Sequence, residues 1–163
     1  MANITATKTV VGNSIALNSG DIKVRPMEVR AIDIANAGTY ATDDTVTFSI
    51  PVLAGEVVTD VSAKLVEAFD GSGDQLNMIA GDADPDGYLV SAALHESQTE
   101  IGIVWNTGAL LNDGTTDNVV NGKLYTADDS IDFLFDGSAG AAIDLGDLTT
   151  GVIELKVFYK DLN

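Results

Sequence analysis

Apolar and polar residues alternate along several short stretches of the chain, and turns rich in Asp, Gly and Asn separate these stretches. Because alternate side chains of a strand point to opposite faces, each stretch is expected to form a strand with one buried face. The alternation is cleanest at residues 45–50 (TVTFSI), 130–136 (SIDFLFD) and 151–160 (GVIELKVFYK). The remaining predicted strands are residues 28–36, 57–69, 76–80 and 99–106.

The longest predicted strand, residues 57–69, departs from a regular pattern in two ways. Glu67 interrupts its apolar face, which predicts a β-bulge. Val61, Leu65 and Ala68 also fit the spacing of a helix, but the flanking turns favour a strand.

Three further stretches carry local signals. Residues 88–94 (YLVSAAL) are apolar without alternation and favour a helical turn. Asn121-Gly122 between two apolar runs predicts a hairpin with a type I′ turn. Gly102 within a predicted strand indicates a bulge or a close approach of another backbone.

About eight to ten short strands with regular turns and no long helix predict an all-β fold, either an antiparallel β-sandwich or a jelly roll. Residues 1–27 are rich in Thr and in turn residues and are predicted to be an extended N-terminal arm, which either clasps a neighbour or is loose. Residues 28–163 are predicted to form the β-sandwich domain.

The chain has 25 acidic and 8 basic residues, and its net charge is −17. A nucleic-acid-binding protein neutralises phosphates with Lys and Arg, so this charge argues against nucleic acid as a partner. It argues equally against binding to an anionic membrane surface. Four of the basic residues lie in the first 30 positions, so a mildly basic leader precedes a strongly acidic body.

The sequence contains no cysteine, which excludes disulfides, thiolate nucleophiles and cysteine-based zinc sites. No apolar run approaches the roughly 20 residues of a membrane-spanning helix. The first residues, MANITATKTV, do not have the charged and then apolar regions of a signal peptide. We therefore expect synthesis and assembly in a cytoplasm.

Residues 82–87 (DADPDG) match the first half of a calcium-binding loop, in which alternate carboxylates precede a glycine turn. The candidate Ca²⁺ ligands are Asp82, Asp84 and Asp86. The match is incomplete, because Ala93 occupies the position of the bidentate Glu and Pro85 lies within the loop. The stretch is therefore either a plain acidic turn or a weaker Ca²⁺ or Mg²⁺ site shared with another loop.

The sequence gives little support for catalysis. His95 is the only histidine, and no G-x-S-x-G motif supplies an activated serine. Carboxylates are abundant, but nothing in the sequence selects the pair that a glycosidase needs. We expect a non-enzymatic protein with no cofactor.

A more specific pattern runs through residues 57–94, where VSAKLVEAFDGSG precedes QLNMIAG, the acidic turn DADPDG and YLVSAAL. With the C-terminal strand at residues 151–160, it resembles the head decoration or cement proteins of tailed bacteriophages, over about half the chain. The resemblance implies a jelly-roll homotrimer on the exterior of the virion that holds neighbouring major capsid protein subunits together.

The resemblance carries no catalytic motif, so it transfers no functional residue to this chain. It does suggest a role for the basic leader, which could contact an acidic shell or a neighbouring subunit through its cationic side chains. The candidate contact residues are Lys8, Lys23, Arg25 and Arg30.

Two other functions remain compatible with the sequence. One is a tail- or fibre-associated adhesion module that binds host glycan, with calcium held by the acidic turn at residues 82–87. The scarcity of aromatic residues, 6% of the chain, argues against it. The other is a small hydrolase on a jelly roll, which needs two carboxylates facing each other across a groove.

Overall fold

The structure is a computed structural model that describes residues 21–37, 45–97, 99–106, 122–138 and 142–162. These residues form nine strands, one short α-helix and one 3-10 helix. The elements are β1 (Lys23–Arg30), α1 (Ala31–Asn36), β2 (Thr45–Val52), β3 (Glu56–Glu67), β4 (Asn77–Gly81), β5 (Leu89–Ala93), β6 (Val104–Asn106), β7 (Lys123–Leu124), β8 (Asp129–Asp136), a 3-10 helix (Leu145–Asp147) and β9 (Val152–Asp161).

The strands form two antiparallel sheets. The first has the order β1-β9-β3-β6, with β7 also paired to β3, and the second has the order β2-β8-β4-β5. The antiparallel pairs are nested along the chain, because β1 pairs with β9, β2 with β8, β3 with β6 and β7, and β4 with β5. A chain with this nested pairing is one long hairpin, and a long hairpin that folds over into two sheets is a jelly roll. The predicted all-β sandwich is therefore confirmed.

The core lies between the two sheets and is built from alternate residues of both. On β8, Ile131, Phe133 and Phe135 are fully buried, as their alternation predicts. The ring of Phe135 contacts Phe48 edge-on at 5.7 Å between centroids and Phe69 at 6.3 Å. Burial of each such ring contributes about 1.5–3 kcal/mol, and the paired rings add a smaller geometric contribution.

Five of the predicted strands are confirmed, namely residues 45–50, 57–69, 76–80, 130–136 and 151–160. The register of β3 against β9 shifts between Leu65 and Glu67, which confirms the predicted bulge. β2 continues through Pro51, where the sequence predicted its end. Pro51 is tolerated because β2 lies at a sheet edge, where a missing backbone N–H breaks no ladder.

The predicted strand at residues 28–36 is wrong in its second half. β1 ends at Arg30, and helix α1 follows directly. Ala31 and Ile34 are buried at helical spacing, whereas Ile32 is 57% exposed. The Asp33 carboxylate accepts a hydrogen bond from the Arg30 backbone N–H at 2.9 Å, which satisfies a donor at the start of the helix.

The helical turn expected at residues 88–94 is also wrong, because this stretch forms β5. Leu89 and Ala92 are buried against β4, and a register shift removes the simple alternation, because two residues of β5 lie opposite one residue of β4.

The strand expected at residues 99–106 is limited to β6. Trp105 packs against the core, but Ile101 and Ile103 are exposed. Gly102 has a φ of 91° with nothing within 4 Å of an added Cβ, so its backbone conformation rather than a close approach requires glycine.

The remaining predictions lie partly or wholly outside the described residues. Asn121 of the predicted hairpin is outside, while Gly122 has the positive φ, 114°, that a type I′ turn requires. The predicted arm, residues 1–27, is described only from Asp21 onward, and its last five residues belong to β1. No helix among the described residues has the length and hydropathy needed to cross a bilayer.

Candidate functional site

The outer face of the first sheet combines lysines with exposed apolar side chains. Residues directly opposite each other on paired strands share a face, and three such rows point away from the core. The rows, each crossing β1, β9 and β3, are Val24–Phe158–Asp60, Pro26–Lys156–Ser62 and Glu28–Glu154–Lys64. Val104 of β6 lies beside Lys64 in the last row. We call this surface the mixed-charge face.

The three long strands of this sheet carry most of the positive charge of the protein. Their basic residues are Lys23, Arg25, Arg30, Lys64, Lys156 and Lys160. Their acidic residues are Glu28, Glu56, Asp60, Glu67, Glu154 and Asp161. These twelve charges cancel, so the rest of the chain carries the whole net charge of −17.

The carboxylates of the mixed-charge face are largely engaged within the protein. Glu28 accepts from Arg30 Nη2 at 2.6 Å, and Glu154 Oε1 lies 3.2 Å from Lys156 Nζ. Asp60 accepts a hydrogen bond from the Val61 backbone N–H at 2.9 Å.

Two lysines of this sheet, in contrast, are not engaged in ion pairs. Within the described parts of the chain, neither Lys64 nor Lys160 has an ion-pair partner. The charge that the face offers to a partner is therefore mainly positive, although Glu67 is also exposed at the far end of β3.

The second sheet presents a different surface. Its four strands contain no basic residue, and its acidic residues are Asp129, Asp132 and Asp136. Asp132 accepts hydrogen bonds from the hydroxyls of Ser49 at 2.7 Å and Ser130 at 2.8 Å. The two broad faces of the sandwich thus differ in charge, and of the two the mixed-charge face is the better match to an acidic partner.

Three of the four predicted basic contact residues, Lys23, Arg25 and Arg30, lie on β1. Lys8 lies outside the described residues. Lys23 Nζ is 3.2 Å from Asp161 Oδ2 at the exposed end of β1, and Arg30 is bound to Glu28. Lys23 and Arg30, like Arg25 below, therefore form ion pairs within the protein. Their contact with another protein stays a prediction.

Arg25 projects from the inner side of β1, in register with the buried Val157. Its Nη1 and Nη2 donate to Glu56 at 2.7 and 2.8 Å, and its guanidinium lies 4.0 Å from the centre of the Tyr159 ring. Glu56 is only 4% exposed. The hydrogen bonds from Arg25 hold the pKa of the Glu56 carboxyl below its usual value, so the pair stays ionised.

The three candidate calcium ligands have different environments. Asp84 and Asp86 are exposed, whereas the Asp82 side chain is only 4% exposed. Asp82 Oδ2 accepts from Lys123 Nζ at 2.7 Å and from the Tyr125 hydroxyl. No group of three potential ligands close enough to hold a metal occurs among the described residues. Both interpretations of the turn, a plain acidic turn or a cation site, stay predictions. The observed contacts of Asp82 are with groups of the protein, and they hold the turn in place.

A polar network around Asp82 was not visible in the sequence. The Tyr125 hydroxyl also lies 3.0 Å from that of Tyr88, so the network joins β7 and its following residues to the turn between β4 and β5. Burial raises the pKa of Asp82, but hydrogen bonds from Lys123 and Tyr125 outweigh it and leave the pKa below its usual value. Burial raises the pKa of both tyrosines, which keeps their hydroxyls protonated.

His95 is buried in the loop that follows β5. Its Nδ1 accepts a hydrogen bond from the Ser97 backbone N–H at 3.2 Å, and Ser97 Oγ donates to the Asp74 carbonyl oxygen at 2.8 Å. Nε2 has no hydrogen-bond partner among the described residues. These contacts anchor a loop, because Nδ1 and the serine hydroxyl are both engaged with local groups.

Lys64, Lys160 and Phe158 were not singled out as contact residues from the sequence. One signal was present, because the alternation of residues 151–160 puts Phe158 on the polar side with Glu154 and Lys156. An aromatic ring on the polar face of a strand marks a candidate contact surface. The partners of β9 on each side, β1 and β3, come from distant parts of the chain and required the structure.

No protein-family model matches the sequence, and no curated protein matches it significantly. Among solved structures, it is similar to a chain of the cyanophage Pam1 capsid asymmetric unit, with a TM-score of 0.51, 17% identity, and coverage of 98% of this chain and 97% of that chain. It is also similar to a chain in the capsid of Ralstonia phage GP4, with a TM-score of 0.47, 14% identity, and coverage of 93% and 92%. The first comparison shows that the whole described fold is shared with a chain of a phage capsid assembly.

Proposed function

We propose that this chain is a non-enzymatic structural protein of a bacteriophage capsid. In this role it decorates the outside of the shell as a homo-oligomer, expected to be a trimer, and bridges neighbouring major capsid protein subunits. The observation that carries the proposal is the end-to-end likeness of the jelly roll to a chain of the cyanophage Pam1 capsid asymmetric unit. The absence of cysteine fits assembly in the host cytoplasm.

The mixed-charge face is the proposed contact with the shell. A body with a net charge of −17 is repelled by an acidic surface unless it presents a neutral or basic side. Lys64 and Lys160 would pair with carboxylates of the shell, and Phe158 and Val24 would supply apolar contact. Exposed ion pairs contribute only about 0.2–1 kcal/mol each, so burial of the apolar side chains supplies much of the affinity.

Bridging raises the overall affinity of a weakly binding protein for the shell. A decoration oligomer that touches several capsid subunits at once gains effective concentration, since each further contact is intramolecular. Modest contacts from each copy are then sufficient for stable attachment, and the same contacts tie the shell subunits to one another.

The first prediction concerns binding to the shell. The double variant K64Q/K160Q should bind at least tenfold more weakly to capsids that lack this protein, because it loses the two lysines of the first sheet that have no ion-pair partner among the described residues. Co-sedimentation of purified protein with capsids of the encoding phage measures the binding.

T45E/T47E is the matched control, since it gives the same net charge of −19 through exposed residues of the second sheet. It should bind like the unaltered protein. Equal loss in both variants would show that net charge rather than the mixed-charge face governs binding. Absence of the protein from purified virions would overturn the proposed function.

A further inference from the structure

The two open sides of the sandwich are built differently. β1 and β2 are edge strands that contain Pro26 and Pro51, and proline on an edge hinders pairing with another chain. On the other side, the edge strands β5 and β6 contain neither proline nor a charged residue, whereas the two-residue β7, paired with the opposite end of β3, contains Lys123. These two strands contact each other, so they form one continuous side of the molecule.

Exposed apolar residues gather on this side. They are Val66, Val90, Ile101, Ile103 and Val104, with exposed fractions of 41–66%. The loop before β6 lies along the end of β3, where Leu65 N donates to Ile103 O at 3.0 Å and Gly102 N donates to Leu65 O at 2.8 Å. We call this surface the apolar side. A contiguous exposed apolar patch marks a protein contact, whereas scattered single residues do not.

Electrostatics favours a second copy of the chain as the occupant. Two molecules with a net charge of −17 repel each other over most of their surfaces. The two edge strands of the apolar side carry no charged residue, so two copies can meet along β5 and β6 without opposing carboxylates, with Lys64 of β3 beside Val104. Glu67, Glu96 and Glu100 are exposed near its border, where water and salt screen them.

We propose that the apolar side is the contact between copies of this chain in its homo-oligomer. The inference rests on the proposed homo-oligomer but not on attachment to a capsid. The apolar side meets the mixed-charge face at Val104, which lies beside Lys64, but its other residues lie on β5, in the loop before β6 and at the end of β3, so one copy can use both surfaces at once. Copies would meet through their β5 and β6 edges and leave their mixed-charge faces free for the shell.

The test is the mass of the full chain in solution. The unaltered protein should have a mass that is a multiple of 16.9 kDa, measured by light scattering over a range of concentrations. The variant V90D/I101D should associate at least tenfold more weakly, because its copies would bury two carboxylates in the contact. Both side chains are more than half exposed, so the fold should tolerate the change, and thermal unfolding checks this.

The matched control is I22D/I32D, which places the same two charges on exposed apolar residues next to β1, at the opposite edge of the first sheet. It should keep the mass of the unaltered protein. An unaltered protein that is monomeric at all concentrations, a V90D/I101D variant that keeps its mass, or equal dissociation of both variants would each overturn the inference. A monomer that still binds capsids would keep the proposed attachment to the shell but not the proposed homo-oligomer.

Discussion

Arg25 and Glu56 form an ion pair on the inner side of the first sheet. Glu56 also accepts a hydrogen bond from the Leu53 backbone N–H at 2.7 Å, so its carboxylate has three donors. A buried carboxylate is costly unless it is fully paired. The arginine that the sequence suggested as a partner contact therefore has a clear role inside the molecule.

Removing the Arg25 side chain should destabilise the protein strongly. R25M leaves the Glu56 carboxylate buried without its cation, which should lower the free energy of unfolding at pH 7 by about 3–5 kcal/mol. Because the folded pKa of Glu56 is lower than the ordinary 4.5, the pair stabilises the fold fully above that pH. The stabilisation is lost as the pH falls through the folded pKa, so the difference between R25M and the unaltered protein should be smaller at an acidic pH well below 4.5 than at pH 7.

Urea unfolding at the two pH values measures this difference. The control is K23M, which removes an exposed pair at the end of the same strand and should change stability by less than about 1 kcal/mol. If R25M and K23M had equal effects, the Arg25–Glu56 pair would contribute no more than a surface contact.

At the scale of elements, the two-residue strand β7 depends on side chains for its position. Lys123 is paired with Val58 of β3, and its ammonium group reaches Asp82 in the turn between β4 and β5. This contact ties the first sheet to the second at one end of the sandwich. The acidic turn is thus held by Asp82, while Asp84 and Asp86 face solvent.

The turn offers a test that separates a structural role from a metal site. D82N should lower the free energy of unfolding by about 1–3 kcal/mol, because Lys123 and Tyr125 lose a charged acceptor. D84N/D86N should leave stability unchanged, since both side chains are exposed. Thermal unfolding with and without millimolar Ca²⁺ measures both effects, and no calcium shift is expected. A rise in stability with Ca²⁺ that D84N/D86N abolishes would instead establish a metal site.

The sequence predicted those elements whose two faces differ in polarity. β8 and β9 alternate without error because one face is buried and the other meets water. α1 was missed because its six residues fit both periods: Ile32 and Ile34 suit a strand, whereas Ala31 and Ile34 suit a helix. β5 was missed because a shifted register places two exposed residues, Val90 and Ser91, side by side.

The candidate surfaces were less predictable than the strands. Alternation assigned Lys156 and Phe158 to an outer face, but it could not say which strands flank β9. Lys64 and Pro26 join that face only because distant segments pair with β9. The apolar side likewise needs the sheet order, since it depends on β5 and β6 being edges.

At the scale of the whole molecule, charge is distributed by sheet. The long strands of the first sheet are neutral in sum, and the remaining segments carry the excess of carboxylates. Repulsion among those carboxylates opposes the compact state and also opposes contact between copies. The neutral first sheet and the apolar side are then the surfaces through which such a molecule can bind anything acidic, itself included.

This distribution predicts that salt stabilises both the fold and the oligomer. Raising NaCl from about 20 to about 500 mM shortens the screening length from roughly 20 Å to roughly 4 Å, which weakens repulsion between separated carboxylates. The free energy of unfolding should rise by on the order of 1 kcal/mol, and association of copies should tighten. Urea unfolding and light scattering at several salt concentrations measure the two effects.

E96Q/E100Q changes the net charge from −17 to −15 through exposed loop residues and should reduce both salt effects. Salt also weakens exposed pairs such as Lys23–Asp161, so a fall in stability with salt would mean that these pairs outweigh the net repulsion.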